Sequence, residues 1–122
     1  MMDWEQFPNF EKREFDCSHC GKNEMKSEYL HRLQSLRTIY GKSMRITSGY
    51  RCPQHPIEAA KATPGPHTTG LACDVGIEGA DAHKLLMLAL NQGFMGIGIQ
   101  QKGNGRFLHL DTASEYGRVW SY

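Results

Sequence analysis

No apolar run in this 122-residue chain is long enough to cross a bilayer, which excludes a transmembrane helix as the basis of its function. Met1-Met2-Asp3-Trp4-Glu5 lacks the basic start and apolar stretch of a secretory leader, so the expectation is a chain made in the cytoplasm. An excess of charge of either sign is missing: 14 Lys and Arg against 13 Asp and Glu leave a formal +1. That balance gives no electrostatic case for a nucleic-acid or membrane-surface partner. Internal repeats, low-complexity tracts and linkers are missing too. Cysteine is limited to Cys17, Cys20, Cys52 and Cys73, and without a leader the default is reduced thiols. A Cys17–Cys20 or Cys52–Cys73 disulfide is then expected only after oxidation.

What is present fits one domain, 1–122, with a modest core. Hydrophobic residues make up 39% and charged residues 22%, an ordinary globular composition. Residues 1–24 have no periodicity, but Trp4, Phe7, Phe10 and Phe15 are costly to leave in water, so an irregular arm packed on the domain is expected. Ser27 can cap a helix to about Tyr40, with Leu30, Leu33, Leu36, Arg37 and Tyr40 near a 3.6 period and Gly41 as its stop. Met44–Ser48 reads as a strand, and Pro56 opens a short helix through Lys61. Asp81 can cap a largely buried helix from Ala82 to about Asn91, on which His83 lies exposed near the start. Phe94–Ile99 and Arg106–Asp111 form strands joined at Lys102-Gly103-Asn104-Gly105. The last stretch, with Tyr116, Arg118 and Trp120, packs back on the sheet. The fold class is α+β, a small, mostly antiparallel sheet flanked by helices.

The chemistry concentrates in Pro66–Asp74 and Phe107–Asp111. From Leu71 to Ile77, Leu71, Cys73, Val75 and Ile77 share an apolar face, and Ala72, Asp74 and Gly76 share the other. Gly70 allows a sharp turn, so His67 can fold back over Asp74. In the second stretch Leu108 and Leu110 face the core, with Phe107, His109 and Asp111 opposite. If the strands share a sheet, His67, Asp74 and His109 offer two imidazoles and a carboxylate, good zinc ligands with a fourth position left open. Arg51, at a strand end beside Gly49, can present a planar fork to a carboxylate. Cys17-x2-Cys20 and Cys52-x2-His55 could together make a Cys3His structural zinc site, or the first could be a tight turn ending in Gly21. Cys73 is best taken as a small buried hydrophobe.

Ser48-Gly49-Tyr50-Arg51, His67-x-x-Gly70-x-Ala72-x-Asp74 and His109-x-Asp111, in that order, resemble the zinc D-Ala-D-Ala carboxypeptidase (M15) peptidases. The likeness is greatest to their small phage and bacterial branch, with the hedgehog signalling domain as a fold relative. Glu14–Cys17, the Leu33–Arg37 helix and Gly93-Phe94-x-Gly96-x-Gly98 extend it over most of the chain. The resemblance implies zinc on His67, Asp74 and His109, with Arg51 holding a substrate carboxylate or polarising the scissile carbonyl. It also implies a hedgehog/D-Ala-D-Ala peptidase-like domain and a peptidoglycan peptide as substrate. A monomer acting at the cell wall after release, or as a phage component, is then expected.

Two positions depart from the family pattern. Gly65 stands where many relatives have Ser, and Arg106 where many carry a catalytic carboxylate. A guanidinium cannot act as a base. Asp111, on the strand face of His109, is the candidate base; orienting His109 or pairing with Arg118 is its other reading. Glu58 and Glu78 are weaker candidates. If no base is present, the chain is a zinc-holding, non-catalytic wall-binding or phage structural module.

Overall fold

The computed structural model describes residues 2–122. Three helices and five strands follow in the order α1 (Ser27–Tyr40), β1 (Arg45–Ser48), α2 (Pro56–Ala59), β2 (Ala72–Gly76), α3 (Gly79–Asn91), β3 (Gly96–Gln100), β4 (Phe107–Asp111) and β5 (Arg118–Ser121). Short 3-10 turns cover Trp4–Gln6, Lys12–Phe15 and Pro66–Thr69. The α+β class therefore holds. The strands form one sheet in the order β1-β2-β4-β3-β5.

The sheet is mixed, which corrects the expectation of a mostly antiparallel one. β1–β2, β2–β4 and β4–β3 are antiparallel, but β5 runs parallel to β3 at the edge. The cause is the Thr112–Gly117 loop, which passes over the start of β3 and sets Arg118 beside Gly96. Arg118 N–H donates to Met95 O at 2.9 Å, and Met95 N–H donates to Asp111 O at 2.9 Å, fixing that crossing.

The period-2 pattern separates the two faces of the sheet. Cys73, Val75, Ile97, Leu108 and Leu110 are buried on one face. The core there includes Tyr29, Leu30, Leu33 and Leu36 of α1 and Leu85 and Ala89 of α3. Each such large side chain contributes roughly 1.5–3 kcal/mol relative to exposure. Tyr29 anchors α1 by donating its hydroxyl to Leu110 O at 2.7 Å.

Helix boundaries shift slightly. Lys26, not Ser27, is the N-cap of α1, and its N–H donates to Gly70 O at 3.0 Å. Gly41 ends α1 in the left-handed region. α3 begins at Gly79 rather than Ala82, which puts Asp81 inside its first turn, paired with Lys42 at 3.0 Å. α3 is buried on one side only: Met87 and Leu90 are about half exposed.

The arm before α1 is held by Phe7, Phe10 and Phe15, all buried. Trp4 lies 5.5 Å from the Phe15 ring. Tyr50 N–H donates to Phe15 O at 2.9 Å, and a side chain at position 49 would meet Phe15 Cα at 2.5 Å. Gly49 is thus the residue that lets the arm close on the loop after β1.

Candidate metal centre

The second face of the sheet carries the polar residues. Register pairs Asp74 with His109 across β2–β4, and Ser48 with Asp74 across β1–β2. His67 reaches them from the Pro66–Thr69 turn, which Gly70 reverses at φ +77°. A Cβ at Gly70 would collide with Glu24 O, so the reversal needs glycine on steric grounds as well.

Three atoms converge. His67 Nε2, Asp74 Oδ1 and His109 Nδ1 form a triangle with every side 3.2 Å. The tautomers follow from the outer partners. His67 Nδ1–H donates to Gly49 O at 2.8 Å, and His109 Nε2–H donates to Asp111 Oδ2 at 2.7 Å. Each inner nitrogen therefore carries a lone pair, and three acceptors face one another with all three residues buried. Donors about 2.0–2.1 Å from a tetrahedral zinc lie about 3.3 Å apart, so the triangle fits one face of such a site. The mixed imidazole and carboxylate set suits zinc in kind as well.

Electrostatics agree with that geometry. Burial opposes a charged Asp74, but the His109 and His67 rings that converge on its Oδ1 outweigh it and hold the carboxyl well below the usual range. Burial likewise opposes a charged His109, yet Asp111 and Asp74 raise its pKa. A positive charge is favoured where the three acceptors meet.

Asp111 lies behind His109, away from the triangle. It is fully buried, and its Oδ1 accepts from the Ala113 and Ser114 N–H groups and the Ser114 hydroxyl. Burial raises its pKa, but His109 and Ser114 lower it further. Both oxygens are engaged, Oδ2 with His109 and Oδ1 with Ala113 and Ser114, an arrangement that suits the orienting role named above as the alternative to a base. β3 makes room for it: the space of a Gly96 side chain is occupied by the Asp111 carboxylate. That of a Gly98 side chain is crowded by Trp120 Nε1 and Tyr122 OH at 2.8 Å and His109 Cβ at 2.9 Å.

Arg51 stands beside the triangle. Its Nη2 donates to Asp74 Oδ2 at 3.3 Å, its Nη1 to Glu58 Oε2 at 3.1 Å and its Nε to Ser48 Oγ at 3.1 Å. Glu58 is buried and also accepts from Lys61 Nζ at 3.1 Å and Gly65 N–H at 2.8 Å. Burial alone would raise its pKa; the Gly65 N–H, Arg51 and Lys61 together bring it below the ordinary value. A Cβ at Gly65 would meet Lys61 Nζ at 2.7 Å and Glu58 Oε1 at 3.2 Å, and the flexible lysine end can yield to it.

These residues open onto a cleft of about 710 Å³ whose wall includes Ile57, Phe107, Trp120 and Tyr122. Trp120 lies 5.0 Å from the His109 ring, with the Arg118 guanidinium 4.9 Å from its own ring. Arg118 is thus on Trp120 and Ser114 Oγ, not on Asp111. Asp74 is the one carboxylate among the residues lining the cleft. Arg106 points elsewhere, donating to Gly103 O at 3.0 Å, with Glu78 3.9 Å away and largely exposed. Neither lines the cleft.

The sequence alone did not identify Glu58 as the anchor of Arg51, nor Trp120 and Tyr122 as cleft walls. Glu58 sits in an aperiodic segment, and β5 declares its partner only through the crossing loop. The four thiols are free; Cys17, Cys20 and Cys52 cluster, while Cys73 sits in the core. No helix among the described residues is long and apolar enough to cross a membrane.

A comparison with curated proteins finds no match. The family profile described as Peptidase M15 matches residues 8–111, a span from the aromatic arm through His109 and Asp111. With the match covering most of the arm, strands β1 to β4 and all three converging ligand candidates, the chain belongs to the peptidase M15 family.

Proposed function

We propose that this chain is a zinc peptidase that hydrolyses peptide bonds in peptidoglycan stem or cross-link peptides. The observation that carries the reading is the triangle of three lone pairs at 3.2 Å with Arg51 bonded to its carboxylate. His67, Asp74 and His109 would hold the ion. Zinc, when bound, supplies a Lewis acid that polarises a scissile carbonyl and acidifies water. Arg51 holds a substrate carboxylate or polarises the carbonyl, and Glu58 keeps its guanidinium in place. Lys61, at the rim and 40% exposed, adds a second cation that draws anionic peptide ends. Phe107, Trp120 and Tyr122 shield one side of the cleft from water. Action at the cell wall, after release or as part of a phage particle, and as a monomer, belongs to this reading.

A second reading is a zinc-holding wall-binding module without turnover. It is favoured by one observation: no carboxylate other than Asp74 lines the cleft, so no free carboxylate base faces it.

The test is digestion of purified peptidoglycan by the zinc-loaded chain, with released peptides read by mass spectrometry. New peptide termini, absent with His67→Ala and Asp74→Ala, support the peptidase. Zinc retention and stem-peptide binding with no new termini would move the assignment to the binding module.

A further inference from the structure

A second group of ligating atoms lies outside the cleft. Cys17 and Cys20 belong to a tight turn closed by Cys17 N–H to Lys22 O and Gly21 N–H to Cys17 O, both at 2.8 Å. Cys52 comes from the loop after β1, 35 residues beyond Cys17, and its N–H donates to Cys17 Sγ at 3.3 Å. The three Sγ atoms lie within 4.8 Å of one another. Sulfurs on a tetrahedral zinc at about 2.3 Å sit about 3.8 Å apart, so the cluster is within about 1 Å of that spacing.

Packing alone does not account for the cluster. Cys17 and Cys52 are buried and could serve as small hydrophobes, but Cys20 is exposed and gains nothing from burial. Its turn is nonetheless bent toward Cys52. His19 Nδ1 is 3.5 Å from Cys52 Sγ, but no His19 nitrogen lies within 4.8 Å of all three sulfurs. His55, expected from the sequence as the fourth ligand, is occupied: its Nδ1 accepts from Ile57 N–H at 3.2 Å, and its Nε2 is 3.1 Å from Ser18 Oγ.

We propose that Cys17, Cys20 and Cys52 form a structural zinc site separate from the cleft, with a turn of the His19 ring beside Cys52 supplying the fourth ligand. Binding displaces the three thiol protons and leaves thiolate ligands; nothing is oxidised. The ion staples the N-terminal arm to the loop that carries Arg51 next to Cys52. Gly49, in the same loop, accepts from His67 Nδ1, so the staple also braces a ligand of the cleft. The proposal does not depend on peptidase activity.

The test uses the full chain, kept reduced, with zinc and cobalt(II) as probes. Wild type is expected to hold two zinc ions per chain; Cys20→Ser and His109→Ala are each expected to hold one. Cobalt is expected to give a thiolate charge-transfer band that persists in His109→Ala and disappears in Cys20→Ser. Cys20 is exposed, so its replacement leaves the core intact. His19→Ala is expected to weaken the cobalt complex while keeping the thiolate band. Absence of that band in reduced wild type, or zinc content unchanged by Cys20→Ser, would overturn the proposal. Loss of zinc in His109→Ala alone would leave this site refuted and the cleft site standing.

Discussion

His109 is held from both sides: Nε2–H donates to Asp111 Oδ2 at 2.7 Å, and Nδ1 stands 3.2 Å from Asp74 Oδ1. The outer bond selects the tautomer that the inner position requires. Asp111→Asn weakens that selection, because an amide can present N–H as readily as oxygen to the ring. Zinc affinity is expected to fall about 10–100-fold, measured by competition with a metal buffer. An unchanged affinity would remove Asp111 from the support of the site.

Gly96→Ala tests the same support from the neighbouring strand. The added methyl has to displace the Asp111 carboxylate, and overpacking of this kind costs about 1–3 kcal/mol. Chemical unfolding is expected to show that loss, together with weaker zinc binding. A stable variant with normal zinc affinity would mean that the carboxylate has room to move.

Glu58→Gln removes the charge shared by Arg51 and Lys61. A loss of about 1–3 kcal/mol is expected at neutral pH, since buried hydrogen bonds to a charged group are weakened. The pKa of Glu58 is lower in the fold than its ordinary 4.5. Its contribution is therefore present above that value and declines as pH falls through the lower folded pKa. The stability gap between wild type and variant should close in acid. A gap that stays constant down the acid limb would show that the charge is not what matters.

Metal removal should leave a pH signature of opposite sign. With no cation, protonated His109 is the group that relieves the three facing acceptors. Its raised pKa means that stability is fully present below the ordinary 6.5 and is lost as pH rises through the folded value. The melting temperature of chelator-treated protein should fall from mildly acidic to mildly alkaline pH, and zinc should abolish the slope. Equal slopes with and without zinc would contradict the assignment.

The parts of the site legible in sequence are those that follow from strand parity. Alternation from Leu71 to Ile77 and from Phe107 to Asp111 puts Asp74 and His109 on one face, and Gly70 signals the turn that brings in His67. What stayed hidden depends on partners distant in sequence. Gly96 and Gly98 look like weak points in a strand until Asp111, His109, Trp120 and Tyr122 are seen to fill their side-chain space. Glu58 shows no pattern because Arg51, Lys61 and Gly65 define its role. The parallel edge strand could not be foreseen, because Thr112–Gly117 carries no signal for passing over β3. Cys-x2-His spacing pointed to His55, whereas spatial proximity favours His19.

The two-faced sheet has a consequence for inheritance. In β2 and β4, Cys73, Val75, Leu108 and Leu110 face the helices, and Asp74 and His109 between them face the cleft. Adjacent codons therefore answer to different selective pressures. Changes at the first set should lower how much protein accumulates, and changes at the second should silence it at normal abundance. A lineage could thus lose its chemistry by one nucleotide change and keep an intact fold, ready for another use.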